Sequence, residues 1–151
     1  MSEPFILTSP AFHDGGAIPS RFTCDGADHS PPLAWSAAPA GTAAFALLVS
    51  DPDARGFVHW VATDIPGSTA SLAEGASGSG RAGREGRNDF GRSGWAGPCP
   101  PSGTHRYVFE LYALSAPLAL PGTPTAAAVR AVLAGRVLGQ ARLTGTYRRG
   151  G

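Results

Sequence analysis

The chain contains no lysine, and all twelve of its basic residues are arginine. Charge of either sign is scarce: Asp, Glu, Lys and Arg make up 15% of the residues, and the formal net charge is +1. With no acidic or basic field, the chain is not expected to bind nucleic acid or an anionic membrane surface. The arginine-for-lysine replacement, together with abundant alanine and glycine, reads as coding bias. Long apolar runs are also missing, and the longest fall far short of the ~20 residues that cross a bilayer, so stable membrane insertion is not expected. The opening MSEPFILTSPAF has neither a basic n-region nor an apolar h-region. A signal peptide is therefore not expected, and a cytoplasmic location is. Cysteine is confined to Cys24 and Cys99. Two residues exclude a tetrathiolate zinc site. In a reducing compartment they are expected as free or partly buried thiols, although both flank turn-rich segments that can bring them close.

What is plentiful is turn chemistry, with 21 glycines and 14 prolines in 151 residues, of which 42% are hydrophobic. That length favours one domain over residues 1–151, able to bury a real core. The density of Gly and Pro favours a β-rich architecture of short elements over a helical bundle. Residues 4–9 read as a first strand, and another starts at Leu33, with Trp35 as a core anchor. TAAFALLVS at 42–50 is nearly all apolar, as in a central strand buried on both faces. FVHWVATDI at 57–65 is a second central strand, with Phe57, His59, Val61 and Thr63 expected on one face and Val58, Trp60 and Ala62 on the other. HRYVFELYAL at 105–114 is a third, with His105, Tyr107, Phe109, Leu111 and Ala113 on one face, polar at its start and apolar beyond.

Thr123 as N-cap and Pro124 at the first helical position predict a helix to about Ala134, ended by Gly135. A short turn is expected over 137–140 and a last strand over 141–148. Residues 73–94 hold Phe90 as their only large apolar residue, and are expected to form a long loop unable to build a core element. Its Asn88-Asp89 end is the part expected to be ordered.

Four side chains have the chemistry of a site: Asp51, His59, His105 and Tyr107. Two imidazoles and a phenol supply donors, and a histidine can gain charge near neutral pH. The turn Gly97-Pro98-Cys99-Pro100-Pro101 is stiff and poor in N–H groups, though Gly97 and Cys99 keep theirs. A small anion such as phosphate suits this set, with Asp51 fixing the tautomer of a histidine. Taken singly, each residue also has a plain structural role: strand histidines are often satisfied core residues, and Asp51 and Asp53 suit the capping of a turn beside proline.

Several segments together resemble the phosphatidylethanolamine-binding protein (PEBP) family, in its bacterial Raf kinase inhibitor-like branch. They are TCDG at 23–26, SPPLAW at 30–35, GT at 41–42, DPDA at 51–54, HW at 59–60, NDFG at 88–91, GPCPP with HRYVFELYAL within 97–114, and GTY at 145–147. The resemblance implies a Greek-key β-sandwich with a large central sheet, a smaller second sheet and a C-terminal helix. It also implies a pocket for phosphate or phosphorylated head groups at one end. Carried over by motif, the ligand-binding set is Asp51, Asp53, His59, His105 and Tyr107, with Gly97, Pro98, Cys99, Pro100 and Pro101 as one wall. No cofactor is implied. The chain departs from the family pattern after DPDA, where Arg55 stands in place of proline and the connection is short. That implies a reshaped lip with a cation beside it.

The reading that follows is a non-catalytic binder of a small anionic ligand that can regulate a protein partner such as a kinase or protease; a homodimer is also open. Three alternatives compete with it: a hydrolase using Cys99, His105 and Asp51; an interaction module acting through its surface; and a zinc site built from His59, His105 and Asp51.

Overall fold

The architecture, a computed structural model, describes residues 4–149. Strands β1 (Ile6–Thr8), β2 (Leu33–Ser36) and β5 (Ser71–Leu72) form a small antiparallel sheet in the order β1-β2-β5. Strands β3 (Ala44–Asp51), β4 (Phe57–Pro66), β6 (Arg84–Glu85), β7 (His105–Leu114) and β8 (Val137–Tyr147) form the large one, in the order β6-β4-β3-β7-β8. Helix α1 (Ala126–Leu133) precedes the last strand. This is the mainly β, two-sheet, one-helix fold class that the resemblance implied.

The alternation of β7 and the continuous apolar run of β3 dictate two hydrophobic layers. One lies between the sheets, where Leu7, Leu33, Trp35 and Leu72 of the small sheet meet Phe45, Leu47, Trp60, Phe109 and Leu111 of the large one. The other lies on the opposite face of the large sheet, where Ala46, Leu48, Val61 and Leu114 are covered by Val129 and Leu133 of α1. Covering both faces is why β3 is buried along nearly its whole length. Each fully buried Leu, Val or Phe contributes roughly 1.5–3 kcal/mol.

Strand β4 does not alternate as expected. Its pairing with β3 slips by one residue between Val49 and Ser50, where Trp60 and then Val58 are the partners, so His59 is an extra residue in a bulge. His59 and Trp60 therefore both face the inter-sheet side, while Val58 and Val61 face the helix. A second slip lies between Phe45 and Leu47, where Asp64 takes the left-handed conformation at φ +54°. A bulge adds a residue without changing composition, so hydrophobic periodicity does not reveal it.

Three other expectations are corrected. The helix starts two residues later than predicted, with Thr125 as N-cap accepting from Ala128 N–H at 3.2 Å. The Pro124 carbonyl instead accepts from Arg87 N–H at 2.9 Å, which keeps the chain extended there. Residues 137–140 are part of β8 rather than a turn, paired along β7 from Leu114 to Tyr112. Residues 73–94 are not a bare loop. They contain β6, paired with Ala62 and Thr63, and bury Ala76, Ala82 and Asn88. Polar ties do the work that apolar surface lacks there: Glu85 accepts from Trp60 Nε1 at 2.9 Å, Ser77 Oγ at 2.5 Å and Gly78 N–H at 2.7 Å.

The cysteines are not free. Cys24 and Cys99 form a disulfide with Cα atoms 5.5 Å apart, across a sequence separation of 75. The two turns lie side by side because Cys24 N–H donates to the Pro98 carbonyl at 3.1 Å. On the chain-entropy account such a loop contributes about 4 kcal/mol. Among the described residues, no helix is long and apolar enough to cross a membrane.

Candidate ligand-binding site

Strands β4, β3 and β7 are neighbours, so the start of β4, the end of β3 and the start of β7 meet at one edge of the large sheet. A cavity of about 190 Å³ opens there. Asp51, His59, His105 and Tyr107 line it from the strands, and Cys99, Pro100 and Pro101 form a wall. Ala54, Phe57 and Phe90 complete the lining. The volume is below the ~300–1,000 Å³ of drug-sized pockets, so it suits a small ligand or one end of a larger one.

Asp51 is 2% exposed, and both its oxygens are engaged. Oδ1 accepts from Asp53 N–H at 2.8 Å, capping the turn Pro52–Ala54. Oδ2 lies 2.6 Å from His105 Nδ1. A carboxylate only accepts, so the His105 proton sits on Nδ1 and Nε2 is left for a ligand. Asp51 thus combines the two roles read from the sequence, turn cap and histidine orienter.

His59 is 4% exposed. Its Nδ1–H donates to the Ala96 carbonyl at 2.6 Å, and Ala96 N–H donates to the His59 carbonyl at 3.1 Å. Ala96 therefore fixes both ring and backbone, again leaving Nε2. Burial pushes the His59 pKa below the ordinary imidazole value, against an opposing pull from the Ala96 hydrogen bond. His59 is accordingly neutral at neutral pH. Tyr107 is 1% exposed, and burial, then Asp51, pushes its phenol pKa well above the ordinary value. It remains a protonated donor. Tyr107 is among the residues that line the cavity.

The rings are packed edge to face. His59 meets Tyr107 at 5.2 Å between centroids and Phe57 at 5.2 Å. Phe90, 45% exposed, closes the lip against Phe57 at 4.7 Å and His59 at 5.6 Å. Its loop is held by Asp89, whose carboxylate accepts from Val58 N–H at 2.7 Å and whose N–H donates to the Val58 carbonyl at 2.8 Å. Buried Asn88 accepts from Phe90 N–H at 2.9 Å and donates to the Gly94 carbonyl at 2.9 Å. Phe57, Phe90 and Ala54 were absent from the residues picked by chemistry. A lone large apolar residue in a polar tract was the available signal for Phe90.

Three expected site residues stand outside the lining. Asp53 faces away and clamps Arg106, accepting from its backbone N–H at 2.8 Å and its guanidinium at 2.9 and 3.1 Å. That guanidinium holds the Asp53 carboxyl down at about 2. Gly97 spends its N–H on Asp28 Oδ1 at 2.8 Å, so it offers no donor to a ligand. A Cβ at Gly97 would collide with the Phe22 carbonyl and the Asp28 carboxylate, which is why glycine stands there. Pro98 turns its carbonyl to Cys24. Arg55, between the lining residues Ala54 and Phe57, is exposed in the left-handed conformation at φ +58° and is not itself part of the lining. Among the described residues no three His, Cys, Asp or Glu side chains are grouped to hold a metal ion. The two Nδ1 atoms are already committed to Ala96 and Asp51.

Comparison with known proteins agrees with this geometry at the level of family and fold. The family model described as phosphatidylethanolamine-binding protein matches residues 8–148. A UPF0098 protein of Methanothermobacter thermautotrophicus is 46% identical over 149 residues, covering 95% of this chain and 99% of that protein. LppC of Mycobacterium tuberculosis, named as a candidate lipoprotein, is 46% identical over 150 residues, covering 97% of this chain and 73% of that protein. The crystal structure of a PEBP homologue from Chlamydia trachomatis superposes with a TM-score of 0.92 at 34% identity, covering 99% of this chain and all of that one. Escherichia coli YbcL, described as a new member of the mammalian PEBP family, gives a TM-score of 0.89 at 30% identity, covering 98% of this chain and all of that one. The chain belongs to the phosphatidylethanolamine-binding protein family.

Proposed function

We propose that the protein binds a small anionic ligand, phosphate or a phosphorylated head group, without transforming it. The observation that supports this most is that His59 and His105, each with Nδ1 already engaged by the protein, line one cavity of about 190 Å³ together with Tyr107. Each histidine is fixed from behind by its Nδ1–H, so no reorganisation accompanies binding. Tyr107 donates at any physiological pH. The two imidazoles accept from a protonated phosphate oxygen when neutral and donate to an ionised one when protonated. Phe57, Phe90, Pro100 and Pro101 exclude water around that polar floor, which strengthens each hydrogen bond.

Hydrolysis by Cys99 finds no support, because its sulfur is bonded to Cys24 and is not a thiolate nucleophile. Regulation of a partner protein, as by binding a kinase or protease, would act through the exposed lip around Phe90 rather than the cavity floor. The test of the binding reading is calorimetric titration with inorganic phosphate from pH 8 to pH 5.5. Affinity is expected to rise as pH falls, since anion binding favours protonated His59. Affinity that stays flat across this range would remove the histidines from the recognition.

A further inference from the structure

The Cys24–Cys99 bridge sits where it can control the cavity. Cys99 lines the site and begins the Pro100-Pro101 wall, whereas Cys24 is exposed on the other side of the bridge. Upstream of Cys99 the chain is well tied. Ala96 is paired with His59, Gly97 N–H donates to Asp28, and the Pro98 carbonyl accepts from Cys24. Downstream, residues 99–104 make no backbone–backbone hydrogen bond among the described residues, and ladder pairing resumes only at His105 with Tyr147. Pro100 and Pro101 have no N–H to give. Between Pro98 and His105, the disulfide is thus the one covalent or backbone tie that fixes the wall.

We propose that this disulfide is a redox modification site that sets ligand affinity: a dithiol reductant opens it, and the cavity wall is released. The proposal rests on the anion-binding reading above. A thiolate of the reductant attacks the sulfur of Cys24, the more exposed residue of the pair, the Sγ–Sγ bond breaks, and Cys99 leaves as a thiolate that takes up a proton. The second thiol of the reductant then attacks its own sulfur in the mixed disulfide and releases Cys24. The products are two cysteine thiols and the oxidised reductant, so electrons balance. Two effects then weaken anion binding. The wall loses its preorganisation, and the fraction of Cys99 present as thiolate sets a negative charge against the ligand.

The experiment uses inorganic phosphate as probe, titrated calorimetrically into the oxidised protein and into protein held reduced by a dithiol. Amide hydrogen exchange is followed at Cys99, Ser102, Gly103 and Thr104, and circular dichroism checks that the reduced chain stays folded. The expected result is phosphate affinity roughly tenfold lower on reduction, with faster exchange at those four amides and unchanged exchange in β3 and β7. Cys24→Ser in the full chain should reproduce the reduced state and lose its response to reductant. Equal phosphate affinity in the two redox states overturns the redox proposal and leaves the binding site standing. No phosphate binding in either state overturns the binding reading, and the regulation with it. Global unfolding on reduction, in both the wild type and Cys24→Ser, assigns the bridge to stability alone and overturns the proposal.

Discussion

At the scale of single residues, two histidines on neighbouring strand ends are fixed by opposite kinds of acceptor. His105 leans on a carboxylate, Asp51, and His59 on a neutral carbonyl, that of Ala96. The burial of His59 has a consequence for pH. A histidine whose folded pKa lies below its unfolded value of about 6.5 binds fewer protons folded than unfolded, so stability is lost as pH falls from above 6.5 through the folded pKa. For His59 the loss is expected below roughly pH 6.5, and saturating phosphate should oppose it. Thermal unfolding of wild type and His59→Asn between pH 8 and pH 5 measures this: the wild type should lose more stability on acidification than the variant. Parallel curves would dissociate His59 from the effect. Asp51→Asn is expected to cost about 1–3 kcal/mol in urea unfolding, because one of the two part-buried hydrogen bonds to this buried side chain loses its acceptor. Asp53→Asn, on an exposed clamp, should cost less. Gly97→Ala is expected to cost about 1–3 kcal/mol or more, since the methyl group meets backbone and carboxylate that have no room to yield.

At the scale of elements, the strands and their neighbours were legible in the sequence wherever side-chain chemistry alone decides. The faces of β7 follow from alternation, and its polar start does reach the cavity. The doubly covered β3 follows from its unbroken apolar run. What was not legible was backbone bookkeeping. The bulge at His59, the late start of α1 and the strand start at Val137 depend on which carbonyl meets which N–H across the fold. The bulge matters most for function, because without the extra residue His59 and Trp60 would face opposite sides. The Asn88–Gly91 lip illustrates the same limit. Its composition cannot support apolar packing, yet side-chain hydrogen bonds from Asn88 and Asp89 hold it in place. Asn88→Ala should therefore lower stability by about 1–3 kcal/mol and raise hydrogen exchange at Phe90 and Arg92. Phe90→Ala should leave stability nearly unchanged while weakening phosphate binding a few-fold through wetter walls. An Asn88→Ala variant with wild-type exchange would show that the lip is held by something else.

At the scale of the whole molecule, the sandwich places its site where three adjacent strands end, and the rest of the chain supplies walls. One wall is the lip carried by Asp89 on β4, and the other is the proline turn tied to Cys24. The site's position at one end of the large sheet was readable from two motifs, 51–65 and 97–107, each delivering its polar residues to a strand terminus. The division of labour within them was not. Asp53, Gly97 and Pro98 belong to the scaffold, while Phe57 and Phe90 belong to the lining, and only the packing of one motif against the other separates them. The proposed binding requires His59 and His105 both to present Nε2 to an anion, with Nδ1 committed to the protein. Nitrogen-15 NMR of the histidine rings, with and without inorganic phosphate, reads this out atom by atom. Nδ1–H tautomers are expected for both rings at pH 7.5, with phosphate-dependent shifts at their Nε2 resonances and with His13 and His29 unmoved. Nε2–H tautomers at His59 and His105, or shifts confined to His13 and His29, would contradict it.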